Sequence, residues 1–240
     1  MNLSVRDVFK AGPGGAQLAG VSFEIESGGS VALVAPVGGG KTTLLRLLAG
    51  VVAPDRGEVR ADGRALAGLD YRELQAHRVA TGFGFERRAL LANQPLFANV
   101  ALPIHYHRPA SEAEVRERVL SLLAELGIEK QAALRPGDAN QSVRKRALIA
   151  RALVLEPRLL LLDEPAIDLT PAEQERVRAA LERRRARASM TIVQADHDGH
   201  FGPLAPERTL LLGDGKVLAE GEPEAMAKLA DELERKKVSA

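Results

Sequence analysis

The chain contains no cysteine, so disulfides, thiolate metal centres and a cysteine nucleophile are all excluded. It also lacks an excess of charge of either sign. Its 33 basic and 32 acidic residues leave a net charge of +1, which gives no electrostatic case for nucleic acid as a partner. No stretch approaches 18 apolar residues, and the opening MNLSVRDVFK has no apolar core of the kind a signal peptide needs. The expectation is a soluble, cytosolic chain that reaches a membrane only through a partner. A length of 240 residues is enough for a full α/β core, as one large domain or as a core with a subdomain. The local run 183-RRRAR-187 reads as a solvated helix face.

What the chain does carry is 32-ALVAPVGGGKTTLL-45. The apolar run Val31 to Val34 predicts a buried parallel strand, and Thr43 to Ala49 a helix packed on the sheet. Between them Gly38, Gly39 and Gly40 are free to adopt positive φ and to turn successive N–H groups toward an anion at a helix N-terminus. The pattern G-x-x-x-x-G-K-[ST] is met at Gly40, Lys41 and Thr42, whereas Ala35 stands where the first glycine belongs. A methyl group there matters only if the position requires positive φ. Pro36, Val37, Gly38, Gly39, Gly40, Lys41, Thr42 and Thr43 are therefore candidates to cradle phosphates. Lys41 supplies charge to the terminal phosphates and Thr42 a hydroxyl ligand for Mg²⁺.

Alternating stretches at Leu3 to Val8 and Val21 to Glu26 predict antiparallel strands, followed downstream by a strand and turn in 57-GEVRADGRAL-66 and a strand in 81-TGFGFE-86 that ends on a carboxylate. From about 87 to 150 the pattern becomes helical, in Glu112 to Leu126 and Val143 to Leu155, with Pro103, Pro109 and Pro136 as punctuation. The sheet resumes at 159-LLLLDEP-165, then come a helix over about 171 to 188, the strand 191-TIVQA-195 and a hairpin about the Gly-Asp-Gly turn in 209-TLLLGDGKVLAEG-221. A last helix, Pro223 to Lys237, sets Ala225, Leu229 and Leu233 on one face toward the core.

Asp163 and Glu164 close the first of these strands. In partnership with a phosphate loop Asp163 reads as a Mg²⁺ ligand acting through water, and Glu164 as the general base for an attacking water. His197, after the next strand, is set to contact a γ-phosphate.

In this order the motifs resemble the nucleotide-binding subunit of an ATP-binding cassette (ABC) transporter, over Leu3 to about Gly221. The resemblance implies an α/β fold: a P-loop NTPase core of ABC type with an antiparallel β-subdomain and an inserted helical subdomain. It implies one ABC ATPase domain over 1–240, with core and β-subdomain at 1–86 and 156–221, helical subdomain and signature region at 87–155, and a C-terminal helix at 222–240. It further implies ATP and Mg²⁺ as cofactors, a second ABC subunit in a homo- or heterodimer, an integral-membrane permease, and a place on the inner face of the cell membrane. The segment 85-FERRALLANQPLFANVALPIHYH-107 resembles the mammalian-cell-entry (MCE) or Mla type, which moves phospholipid across the bacterial envelope with an MCE-type substrate-binding partner. The pattern 97-FANVALPI-104 also occurs in lipoprotein-release and macrolide-export relatives.

Several positions depart from that family. The signature Leu-Ser-Gly-Gly-Gln aligns with 139-ANQSV-143, so Asn140 replaces the serine while Gln141 and Ser142 replace the glycines. Asn140 and Ser142 are the candidates there for contact with the nucleotide across a dimer. Glu86 stands where a glutamine senses the metal, Thr170 where an aspartate couples the two sites, and Gly12 where an aromatic stacks on adenine, a role left to Phe9. Two functions follow: an ATPase driving a transporter, or a regulatory subunit that binds nucleotide and turns over little. Arg87 and Arg88 are expected to flank the groove that receives the permease.

Overall fold

The computed structural model describes residues 1–12, 15–36, 38–84, 89–199, 201 and 204–238. Strands β1 (Leu3–Gly12), β2 (Gly15–Ile25), β4 (Arg56–Ala61) and β5 (Arg64–Ala65) form an antiparallel sheet in the order β2-β1-β4-β5. A second sheet joins β3 (Ser30–Val34), β6 (Thr81–Gly84), β7 (Leu159–Asp163), β8 (Thr191–Asp196), β9 (Arg208–Gly213) and β10 (Lys216–Gly221) in the order β10-β9-β3-β8-β7-β6. Its strands are parallel except for β10, which returns along β9.

Every residue of β3 and β8 is buried, as are the four leucines of β7. Continuous apolar runs of this kind belong to parallel strands covered on both faces. The period of two then divides each strand between cores. Leu160 and Leu162 of β7 join the cluster shared with the helical part of the chain. Leu159 and Leu161 face the cluster that also holds Val31 and Leu33 of β3 and the inner residues of β1 and β2. Ala32 and Val34 turn to a third cluster with Phe201, Leu211 and Ala230.

Among the described residues seven α-helices complete the fold: α1 (Lys41–Leu48), α2 (Tyr71–Val79), α3 (Leu96–His107), α4 (Glu112–Glu125), α5 (Gln141–Leu153), α6 (Pro171–Ala188) and α7 (Pro223–Val238). Side chains cap α2 (Asp70), α4 (Ser111), α5 (Asn140) and α6 (Thr170), three of them as full capping boxes with Glu73, Glu114 and Glu173. The hairpin between β9 and β10 has Asp214 and Gly215 both at positive φ, 50° and 75°, the conformation of a type I′ turn.

Some expectations need correction. Pro103 does not punctuate: it lies inside α3, whose ladder loses one bond where proline has no N–H. Helix α5 starts at Gln141 and not at Val143, because Asn140 supplies the cap that fixes its first turn. On α7 Ala225 is exposed, while Met226, Leu229, Ala230 and Leu233 pack on the β3/β9 core. The arginine run is more than a solvated face. Arg183 and Arg184 both reach Glu125 of α4 at 2.6 Å, and Arg185 pairs with Glu207 ahead of β9. Among the described residues no helix is long and apolar enough to cross a membrane.

Helix α2 has a single buried side chain, His77, whose Nε2–H donates to the Leu48 carbonyl at 2.8 Å. Burial, the main cause, holds the imidazole pKa below its ordinary value, although the Leu48 bond pulls the other way. A group with a depressed folded-state pKa stabilises above its unfolded pKa, near 6.5 for histidine, and the stabilisation is lost as pH falls through the folded value. Urea unfolding between pH 7 and pH 5 is expected to show stability falling with pH. In His77→Phe the slope should flatten by up to about 1.4 kcal/mol per pH unit, the equivalent of one proton. An unchanged slope would remove His77 as its source.

Candidate nucleotide site

Register brings the candidate residues to one level. Val34 at the end of β3 lies opposite Asp196 of β8, and Asp163 of β7 opposite Ala195. The glycine loop, the paired acids and the β8 terminus thus leave the carboxyl ends of three adjacent strands, where ligands bind in open α/β sheets.

Helix α1 begins directly after Gly40, whose φ of 84° only glycine adopts at little cost. A Cβ there would stand 2.7 Å from Leu18 Cδ2 and 2.9 Å from the Gln17 carbonyl, so β2 also closes the position sterically. Unlike α2, α4, α5 and α6, α1 has no side-chain cap. Its first N–H groups face the loop, the arrangement that suits a phosphate. Lys41 is 8% exposed, and its Nζ donates to the Ala35 carbonyl and, at 3.1 Å, to that of Pro36. Burial lowers its pKa, against the pull of Asp163, Glu164 and Asp196. Thr43 Oγ1 donates to Gln17 Oε1 at 2.7 Å, which ties the helix start to β2.

The Ala35 question has a steric answer. Ala35 is fully buried and is not among the residues with positive φ, so no backbone penalty attaches to its methyl group. The methyl occupies space left by Gly39, where a Cβ would lie 2.7 Å from Ala35 Cβ and 3.0 Å from the Pro36 carbonyl. Gly39→Ala is therefore expected to cost about 1–3 kcal/mol of ATP binding through overpacking, read by nucleotide titration. Adding Ala35→Gly should recover part of it; no recovery would show that the Pro36 carbonyl alone sets the limit.

Thr42 Oγ1 donates to Asp163 Oδ2 at 2.9 Å, so the two candidate metal ligands are already adjacent. Two hard oxygen donors suit Mg²⁺. Burial raises the Asp163 pKa, partly offset by the Thr42 hydrogen bond and raised further by Glu164; a divalent cation would favour the ionised form. The nucleotide and Mg²⁺ thus fit the groups present.

Glu164 has φ 49°, the left-handed region, and its N–H donates to the Ala195 carbonyl at 2.8 Å. His197 lies beside it, Nδ1 being 3.6 Å from Glu164 Oε1 and 3.9 Å from Asp196 Oδ1, with Nε2 3.5 Å from Asp198 Oδ2. Nδ1 is enclosed and has no hydrogen bond among the described residues. Burial and the neighbouring Asp198 raise the Asp196 pKa.

The signature segment is more firmly tied than its sequence suggests. Asn140 Oδ1 accepts from the Val143 N–H at 2.9 Å as the α5 cap. Ser142 Oγ donates to Glu173 Oε1 at 2.6 Å, and the Gln141 amide nitrogen, so oriented, lies 2.7 and 3.1 Å from the Asp168 carboxylate oxygens. Thr170 caps α6 through its box with Glu173. The Phe9 ring is covered by the Arg56 guanidinium at 4.4 Å. Val37 and Glu86, and Arg87 and Arg88 at the expected groove, lie outside the described residues. The sequence reading missed Gln17, Lys145, Arg146 and Glu173. Of these only Glu173 left a signal, as the second member of a Thr-x-x-Glu box.

A family model described as "ABC transporter" matches residues 18–167. The intermembrane phospholipid transport system ATP-binding protein MlaF of Haemophilus influenzae is 32% identical over 211 residues, 88% of this chain and 80% of the relative. The lipoprotein-releasing system ATP-binding protein LolD of Psychrobacter arcticus is 35% identical over 82% of this chain and 88% of the relative. Among solved structures, a dimeric post-hydrolysis state of the ATP-binding cassette MJ0796 bound to ADP and Pi superimposes with a TM-score of 0.84 at 29% identity, covering 92% of this chain and 98% of that one. With phosphate loop, paired acids and histidine converging at one sheet edge, this chain belongs to the ABC transporter family and is an ABC-type ATPase with the P-loop α/β fold of that family.

Proposed function

We propose that this chain binds Mg-ATP as one subunit of a dimer and uses hydrolysis to drive an integral-membrane permease in MCE/Mla-type phospholipid transport, from the inner face of the cell membrane. The observation that carries the ATP chemistry is the Thr42–Asp163 contact of 2.9 Å at the level of Glu164 and His197. The phospholipid reading rests on the MlaF likeness, which spans 80% of that relative.

In this reading residues 36–43 cradle the phosphates, Val37 included, and Lys41 exchanges its loop carbonyls for phosphate oxygens. Thr42 and Asp163, with Glu86 as a third candidate ligand, would hold Mg²⁺, which would supply charge neutralisation to the triphosphate. Glu164 takes a proton from water as its oxygen bonds to the γ-phosphorus. The bond to the bridging oxygen breaks, releasing ADP and phosphate. His197 donates toward the γ-phosphate. Asn140 and Ser142, at the start of α5, would meet the nucleotide of the second subunit on leaving the Val143 N–H and the Glu173 carboxylate that they contact in their own chain. Residues 87–155 form the helical subdomain through which the permease is engaged.

A second reading, a regulatory subunit of low turnover, is favoured by the side chains of Gln141 and Ser142 where the family has glycines. A lipoprotein-release role is favoured by the LolD likeness. The deciding experiment purifies the complex from its native host through a tag on this chain and reconstitutes it in phospholipid vesicles. ATP-dependent phospholipid transfer that stops on chelation with EDTA supports the proposal. ATP hydrolysis without phospholipid transfer, by a complex lacking an MCE-type partner, would sink the phospholipid assignment.

A further inference from the structure

The loop that carries Glu164 is held from behind by α5. Lys145 is 9% exposed, and its Nζ donates to the Glu164 carbonyl at 2.9 Å and to the Asp163 carbonyl at 3.3 Å. A buried ammonium is costlier than a methylene chain of the same length unless its donors are matched, and here they meet the peptide carbonyls of both acids in succession.

Glu164 needs such support. A non-glycine residue in the left-handed region is strained by roughly 1–2 kcal/mol and persists only where its surroundings over-determine it. Three contacts do so: its N–H donates to the Ala195 carbonyl at 2.8 Å, while its carbonyl accepts from Lys145 and, at 3.3 Å, from the Ile167 N–H. The first fixes the residue to β8 and the second to α5. Without the Lys145 contact the peptide on the carbonyl side of Glu164 would lose its strongest partner. The backbone would then relax toward negative φ and swing the carboxylate away from His197.

We propose that Lys145 is a positioning residue for Glu164, acting through the main-chain carbonyls of Asp163 and Glu164. The inference rests on Glu164 being the general base. It makes α5, which begins at the signature segment, the element that sets the geometry of the chain's own catalytic carboxylate.

The test compares wild type, Lys145→Met, Lys145→Arg and Glu164→Gln in the complex purified through a tag on this chain, measuring kcat and KM for ATP, ATP affinity and the melting temperature. Lys145→Met should lower kcat by roughly tenfold to a hundredfold, the range for a reacting group displaced by about 1 Å. KM and ATP affinity should stay within about twofold, and Lys145→Arg, which keeps the charge and the donors, should restore most of kcat. Unchanged kcat in Lys145→Met, a loss carried by KM and affinity, or an arginine variant as poor as the methionine one would each overturn the proposal. If Lys145→Met does not fold, Lys145→Gln, with one amide donor, should give an intermediate kcat, and wild-type turnover in it would count against the role. Wild-type turnover in Glu164→Gln would instead refute the base assignment itself, an outcome separate from any behaviour of Lys145.

Discussion

Glu164→Gln is expected to reduce ATP turnover by roughly 10²- to 10⁴-fold, the contribution of a positioned general base, with ATP binding retained. Glutamine keeps the shape and hydrogen-bonding reach of the carboxylate and cannot accept the proton from water at neutral pH. In the proposed function phosphate contact is assigned to the loop and to Lys41, so the side chain of Glu164 is not needed for it. Its N–H bond to Ala195 and its carbonyl bond to Lys145 are main-chain contacts that the substitution preserves. Turnover by the purified complex, together with equilibrium binding of ATP, separates the cases. Turnover lost with binding kept marks a working motor in which 139-ANQSV-143 suffices or is complemented by the second subunit. Low turnover in both wild type and variant marks a regulatory subunit, while equal and substantial turnover would remove Glu164 from the chemistry.

The second large effect concerns stability. The guanidinium of Arg146 joins three helices: Nη2 meets Glu173 Oε1 of α6 at 2.7 Å and Ser142 Oγ of α5 at 3.0 Å, and Nη1 donates to the Leu126 carbonyl at the end of α4 at 3.0 Å. The Arg146 and Glu173 side chains are 8% and 22% exposed. Removing Arg146 takes the cationic partner from Glu173, which keeps only the Ser142 hydroxyl and the Thr170 box, so Arg146→Met should destabilise by up to about 3–5 kcal/mol. For a chain of this size the melting temperature should drop by roughly 2–4 °C per kcal/mol. Arg146→Met with Glu173→Gln is expected to be more stable than Arg146→Met alone, because the stranded carboxylate is gone while the amide still accepts from Ser142. A drop of less than about 1 kcal/mol in the single variant would assign this pair to the weak class of surface ion pairs.

The parts of this molecule legible in its sequence are those whose chemistry is local. The buried strands β3, β7 and β8 follow from unbroken apolar runs, and the loop, the paired acids and His197 from residues adjacent to those strands. Helix α2 was invisible because it buries one side chain and shows little apolar periodicity. Its only trace was Asp70 followed three residues later by Glu73, the capping box that starts it. Pro103 misled in the opposite way, since the tertiary packing of Leu96, Val100 and Ile104 holds α3 together across a residue that usually ends a helix. Lys145 and Arg146 could not be singled out at all. In 141-QSVRKRALIARAL-153 three consecutive basic residues look alike, and only tertiary packing, of Lys145 on the loop after β7 and of Arg146 on α4 and α6, separates the two buried ones from Arg144. Likewise, Gln141 and Ser142 bring side chains where the resemblance places glycines, and only the structure shows them turned back on Asp168 and Glu173 of their own chain.

The fit between Ala35 and Gly39 also bears on history. With a methyl group at 35, one at 39 would stand 2.7 Å from it and something must shift, so the two sites do not vary independently. A side chain at 35 thereby removes the freedom to vary at 39. Related chains should accordingly fall into those with a side chain at one of these two positions and those with none, with intermediates bearing both selected against.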